Sequence, residues 1–360
     1  MKNRIKWIDC AKFLGIFAIY LGHFGEVAGK SFIFVFQYHV ALFFFLSGCM
    51  NTYDKEEKII TFINKKFKSI MVPFFGFSLL SIIIYILLNN PEYNSILELL
   101  TIVCKGIIRN TFFAMGLWFL SCLFLMEIIF KIIKKFNNKL LIFLICLIMF
   151  VIAEGFIIPR PIIEPHWLYN LDSVFYYIIF YAIGYIIYPL IVKLFELDTR
   201  KKKISFYILG IISFFYAGLV FFEKDYLRSL LELVPLIRIL SPIIRTFILI
   251  ISNLILAKIL ENISLFTTIG KDTLYLCGNE FIIKSICSSL VELIGLSLTF
   301  NTPLHVYLYT MILLILSIKF LHPLERKFIN SIKCIYKNFN IICSFLFDIL
   351  FFIYISFCYI

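Results

Sequence analysis

The sequence predicts an all-α chain that crosses a membrane many times. Three observations carry this expectation. The chain is 62% hydrophobic with a mean hydropathy of +0.97, whereas soluble domains hold about 45–50% apolar residues. Apolar runs of about twenty residues, the length that crosses a bilayer as a helix, recur from end to end. Lys and Arg gather in alternate connections between these runs, as the cytoplasmic loops of membrane proteins do.

Taken in order, the apolar spans are expected at 10–24, 31–50, 70–88, 112–130, 140–158, 173–192, 204–222, 239–257, 273–294, 304–321 and 341–360. The first ten form the expected core. The last, interrupted by Asp348, is a candidate eleventh that either spans or lies at the interface. A transmembrane domain is therefore expected over 1–322, with a basic linker and a C-terminal hydrophobic helix over 323–360. With a cytoplasmic N-terminus, 25 Lys and Arg fall in cytoplasmic segments and 7 in external ones. The first span is basic in front, but no small-residue cleavage site follows, so a retained helix is expected. The external connections near 89–111 and 155–172 contain NNPEYNS and PRPIIEPHW and read as turn-rich surface or re-entrant pieces.

The net charge of +12 follows from this topology and does not call for nucleic acid. Ten cysteines lie scattered with no C-x-x-C pair, so they read as small hydrophobes, with neither a disulfide framework nor a metal site.

Chemistry concentrates in the first spans. His23 and His39 sit in the apolar stretch 21–48, and no other histidine precedes His166. Ionisable groups at membrane depth are expensive and mark functional sites. Lys12 and His23 are eleven residues apart, so on a helix they share a face with a rise of ~16 Å. Gly15, Ala18 and Gly22 run beside that stripe and let another helix approach closely. A ligand with an anionic head and a long arm reactive at its tip fits such a rail. Acyl-coenzyme A has that shape, as do other ligands. Lys65 and Lys68 are three apart before Pro73 and read either as a positive-inside anchor or as a phosphate clamp.

Other polar residues carry two readings each. Glu26 either hydrogen-bonds His23 or is a solvated carboxylate. Glu280 and Lys284, four apart, read as an ion pair. Arg245 contacts an anionic substrate or coenzyme, snorkels, or pairs with Glu280. Trp118 reads as an interfacial aromatic.

Several of these stretches resemble acyltransferase family 3, the multi-span bacterial acyltransferases. The opening IDCAKFLGIFAIYLGH (Asp9, Lys12, His23) is similar to the family's Asp, Arg and Leu-Gly-His, and YHVALFFFLSG to its His-(x)3-Phe-Phe-Phe-Leu-Ser-Gly element. Lys65, Lys68 and Pro73 match its paired basic residues before a Pro. GLWFLSCLF with Trp118, FYAIGYIIYP and IGKDTLYLC resemble later elements, so the likeness runs over about residues 4–320. Lys12, Lys65 and Lys68 stand where the family has arginines, and CGNE (Cys277 to Glu280) stands where many members have a histidine.

The resemblance implies a membrane-bound O-acyltransferase in the bacterial cytoplasmic membrane. The donor would be cytoplasmic acetyl-coenzyme A. The acceptor would be a hydroxyl of an extracytoplasmic polysaccharide or its lipid-linked precursor. His23 would act as base or acyl carrier, and His39 would orient it or polarise the thioester. Glu26 joins this catalytic set. Lys12, Lys65, Lys68 and Arg245 would hold the coenzyme, and Trp118, Asn279 and Glu280 the substrate. No metal or nucleic acid is expected. Lipid, the glycan and polysaccharide-assembly proteins are the expected partners. A glycan transporter or flippase, and an inactive relative in an assembly machine, are the competing functions. The absence of matching halves and the concentration of signal in the first 75 residues favour the enzyme.

Overall fold

The computed structural model describes residues 4–52, 57–89, 101, 116–162, 165–232 and 235–338. The expected span 341–360, most of the connection 89–111 and the start of the span at 112 lie outside them. The chain runs α1 (Lys6–Gly22), α2 (Lys30–Phe36), α3 (His39–Asn51), α4 (Ile59–Lys66), a π turn (Phe67–Met71), α5 (Val72–Asn89), α6 (Trp118–Ile133) and α7 (Lys139–Gly155). It continues with α8 (Leu171–Phe195), α9 (Arg200–Phe221), α10 (Tyr226–Glu232), α11 (Pro235–Leu260), α12 (Ser264–Lys271) and α13 (Thr273–Leu293). Helix α14 (Pro303–Leu316), a second π turn (Ser317–Leu321) and α15 (His322–Asn338) complete it.

Among the described residues, 7 helical stretches are long and apolar enough to cross a membrane. The chain is thus a polytopic all-α membrane protein with at least seven candidate spans. Helices α1, α6 and α7, also expected as spans, hold 17, 16 and 17 residues. At 1.5 Å per residue they reach about 24–26 Å, short of the ~30 Å hydrocarbon core.

Helix α1 is the hub. Of its residues, 13 are buried, and it packs against α2, α3, α11, α12, α13 and α14. A helix apolar on every face is buried on every face. Helix α9 is its opposite: Tyr207, Ile211 and Phe215 are exposed along one side, as a lipid-facing helix requires. Local capping sets other ends. The Asn138 side chain accepts from the amides of Leu140 and Leu141 at the start of α7, and Thr199 accepts from Lys202 at the start of α9. Asp172, buried at the start of α8, accepts from the amides of His166, Trp167 and Ser173 at 2.6, 3.2 and 2.9 Å.

The second expected span, 31–50, is not one helix. It breaks at Gln37–Tyr38 into α2 and α3. A continuous helix would bond the Val35 carbonyl to the His39 amide. Here the His39 ring takes that carbonyl, Nδ1 to O, at 2.6 Å. The Gln37 carbonyl accepts from the Thr246 hydroxyl at 2.9 Å. Broken helices survive at membrane depth because neighbouring groups satisfy the freed backbone.

The segment 323–338, expected as a basic linker, is helical and packs on α5. Gly76 lies against Ile329 and Ile332. Glu325, Phe328, Ile329 and Ile332 share one face of α15 at helical spacing.

Close crossings depend on glycine. A Cβ at Gly48 on α3 would fall on the Tyr181 carbonyl of α8, and one at Gly184 on the Phe45 carbonyl. A Cβ at Gly270 on α12 would fall on the Asp9 carbonyl of α1. Small residues let helix backbones approach where apolar burial alone drives little association. Gly184→Val is expected to destabilise by about 1–3 kcal/mol, read as a lower melting temperature of the detergent-solubilised protein. Gly218→Ala, inside α9 where a Cβ meets nothing within 4 Å, serves as the comparison and should stabilise by about 0.5–1 kcal/mol. Equal melting temperatures for the two variants would contradict the backbone contact.

Candidate functional site

The site forms where the end of α1 meets the middle of α13. His23 caps α1, its amide still bonded to the Ile19 carbonyl. Its Nδ1 lies 2.7 Å from Glu280 Oε2. Glu280 Oε1 lies 2.6 Å from Lys284 Nζ, one turn further along α13. Lys284 also reaches the Tyr20 carbonyl at 3.4 Å and lies over the Phe24 ring at 4.3 Å. The expected Glu280–Lys284 pair is present, and it carries His23 as a third member.

A carboxylate only accepts, so His23 Nδ1 carries the proton and donates to Glu280. In the neutral ring Nε2 then keeps its lone pair. The same reasoning applies to His39. The Val35 carbonyl accepts from Nδ1–H, so Nε2 of the neutral ring is an acceptor. The Phe36 ring packs against both imidazoles, 6.4 Å from His23 and 5.0 Å from His39 between centroids. The break between α2 and α3 thereby brings the two histidines to one aromatic floor.

Glu26 does not orient His23. It is exposed on a short 3₁₀ turn, Gly25–Ala28, and its side chain makes no hydrogen bond among the described residues. The turn opens at Gly25 with φ of 65°, so the chain leaves the axis of α1 and the three-residue spacing no longer aligns the pair. Arg245 does not pair with Glu280 either. Its Nε lies 3.1 Å from Asp225 Oδ2 and its NH2 3.4 Å from Gln37 Oε1.

Beside the histidine lies a buried polar chain. The Tyr20 hydroxyl contacts the Leu276 carbonyl at 2.8 Å and Asn279 Oδ1 at 3.0 Å. Asn279 Nδ2 donates to Glu325 Oε2 at 2.9 Å. Asn279 is fully buried and its amide is engaged on both sides, linking α1, α13 and α15. Glu325 escapes a reading of the sequence that treats 323–360 as linker. Its signal is its place on the apolar face of α15. Trp118 opens α6, half-buried, with its ring 6.2 Å from that of Tyr177. Just before it, a Cβ on Gly116 would meet the Cys277 carbonyl at 3.1 Å and Glu280 Oε2 at 3.7 Å. The turn before α6 therefore closes over the carboxylate.

Of the cations expected to hold an anion, Lys12 lies toward the Lys6 end of α1. Lys12 is half-buried and makes no hydrogen bond or ion pair among the described residues. Lys65 is exposed and meets Glu57 at 3.2 Å. Its neighbour Lys66 is the buried member, 3.0 Å from Glu127. Lys68, in the π turn, lies within electrostatic reach of Lys333 on α15, a residue the motifs do not mark. Ile16 and Ile19, between Lys12 and His23, are 0% and 5% exposed. The stripe is packed shut in this conformation. No three His, Cys, Asp or Glu side chains converge as a metal site would need among the described residues.

A family model described as an acyltransferase domain, that of acyltransferase family 3, matches residues 5–322. Neither a curated protein nor a solved structure matches the chain.

Asn279→Ala takes the amide donor from buried Glu325 and leaves the Tyr20 hydroxyl with the Leu276 carbonyl alone. It is expected to lower stability by about 1–3 kcal/mol, seen in thermal unfolding in detergent. Adding Glu325→Leu to it should recover part of the loss, because the orphaned carboxyl is then gone. A double variant no better than the single would count against the pairing.

Proposed function

The chain belongs to acyltransferase family 3, and on that premise we propose that it moves an acyl group, acetyl by family likeness, across the bacterial cytoplasmic membrane. The donor is acyl-coenzyme A on the cytoplasmic side. The acceptor is a hydroxyl of a cell-surface polysaccharide or its lipid-linked precursor. The observation that carries this reading is the His23–Glu280 pair at 2.7 Å, which in the neutral ring turns the Nε2 lone pair toward a substrate proton.

The Lys6 end of α1 faces the cytoplasm in this reading. Lys12, with Lys68 and Lys333, attracts the phosphates of the coenzyme there. Lys is a point charge without the fork of Arg, so it attracts more than it orients. The acyl arm then follows the stripe toward His23, which requires the bundle to part at Ile16 and Ile19.

At His23 the acceptor hydroxyl gives its proton to Nε2 as its oxygen attacks the thioester carbonyl carbon. Glu280 stabilises the imidazolium that forms, as the carboxylate of a Ser-His-Asp triad does. Collapse of the tetrahedral intermediate breaks the carbon–sulfur bond. The imidazolium returns its proton to the departing thiolate, giving ester and free thiol. Lys284, held on Glu280 Oε1, keeps that carboxylate charged. His39, with Nε2 as acceptor, positions a donor group of either substrate. Trp118 and Gly116 cover the site.

His23→Ala should abolish acyl ester on the surface glycan, and Glu280→Gln should lower transfer by about 10²-fold or more. Glu26→Gln should transfer at the unmodified rate. Assay of acetyl esters in membranes of strains carrying each variant tests this. Transfer that persists in His23→Ala would sink the mechanism, and loss of polymer export in place of its esters would point to a flippase. At the other end, Lys12→Ala should raise the KM for acyl-coenzyme A, while Lys12→Arg should not. An unchanged KM in both would remove Lys12 from donor binding.

A further inference from the structure

Arginine is scarce in this chain, with 8 residues against 26 Lys. Four of those eight, Arg160, Arg228, Arg238 and Arg245, line one cavity of about 650 Å³. The cavity lies at the His23 end of α1. Phe36, the ring that touches both His23 and His39, is part of its wall, and so is Tyr176. A second cavity of about 590 Å³ shares Gln37, Arg228 and Arg245 with it.

Two of the four guanidiniums are held by carboxylates: Glu154 meets Arg160 at 3.3 Å, and Asp225 meets Arg245 at 3.1 Å. Arg238 makes no hydrogen bond or ion pair among the described residues. The guanidinium fork matches carboxylate and phosphate oxygens two at a time, which Lys does not. In a chain whose composition defaults to Lys, arginine at this one cavity selects for that geometry.

We propose that this cavity binds the acceptor through an anionic group, a carboxylate or a phosphate on the glycan. The inference rests on the acyl-transfer reading above and adds the substrate class. The arginines hold the charged group, the exposed Phe36 ring holds the sugar, and a neighbouring hydroxyl is presented to His23. Arg245 thereby serves the acceptor and not the coenzyme, because its partners Gln37 and Asp225 lie at the His23 end.

The test uses the purified full chain in phosphatidylcholine nanodiscs. The probes are a galacturonate tetramer against its methyl ester, and glucose 1-phosphate against glucose. At least one charged probe should bind with a Kd roughly tenfold or more below its neutral partner. Arg238→Gln and Arg160→Gln should each remove most of that difference and leave binding of the neutral probe as it was. Arg238→Lys, which keeps the charge and loses the fork, should fall between and reports that the variants fold. Equal binding of charged and neutral probes, no binding of either charged probe, or arginine variants that bind as the unmodified chain does would each overturn the proposal. Adding phosphatidylglycerol distinguishes the two sources of phosphate. If it alone abolishes binding of the charged sugar, the arginines are lipid anchors and the proposal falls. Unmodified protein that binds a charged probe yet transfers no acyl group to it sinks the acyl-transfer reading and leaves this inference standing. Transfer to the methyl ester as fast as to the acid does the reverse.

Discussion

A carboxylate buried between helices of a membrane bundle needs its charge answered at once. Glu280 is 4% exposed, and an ion taken out of water costs several kcal/mol unless paired and hydrogen-bonded. It is answered from both oxygens, by His23 on α1 and by Lys284 on its own helix. That requirement ties the end of α1 to the middle of α13. It also decides which nitrogen of His23 carries the proton. The stability of the contact and the chemistry of the imidazole are therefore one fact.

The rest of the bundle serves that contact. Helix α1 is the hub because 13 of its residues are buried against its neighbours, and glycine at its crossing with α12 lets the two meet backbone to backbone. The Gly48 and Gly184 crossing fixes α3 against α8, and so fixes where the break at Gln37–Tyr38 places His39. The same break delivers Phe36 between the two imidazoles. An unbroken helix would have bonded Val35 to the His39 amide and left the ring to find a partner elsewhere.

The two ends of the molecule differ in the kind of cation they present. Lys12 lies near the Lys6 end of α1, within electrostatic reach of Asp9, and Lys68 and Lys333 lie within reach of one another. Forked arginines line the cavity at the His23 end. In the proposed reading the first attracts a mobile coenzyme from water, and the second grips an acceptor in a fixed pose. One buried helix connects them, and its middle is closed by Ile16 and Ile19. Opening that stripe is the motion that the reading requires of the protein.

Much of this is legible in the amino-acid order. Hydropathy and the placing of Lys and Arg are sums over many residues, so the polytopic helical class survives errors at any one of them. The spacing of Asp9, Lys12 and His23, and of His39 and its Phe run, depends only on local helix geometry and carries the family resemblance. What sequence could not supply are contacts between residues far apart in the chain. Glu26, three residues from His23, is the local candidate, and a single positive-φ glycine defeats it. Glu280, 257 residues away, takes its place. Glu325 looks like one charge in a basic tail until α15 folds back and meets Asn279. Arg238 and Arg245 share α11, but Arg160 and Arg228 come from a connection and from α10, and only the packed bundle brings all four to one cavity. Local periodicity determines which segments are helices, because backbone hydrogen bonds close within a few residues. The tertiary structure decides which carboxylate meets which imidazole, because a buried charge is satisfied by whatever partner the helix crossings bring within 3 Å.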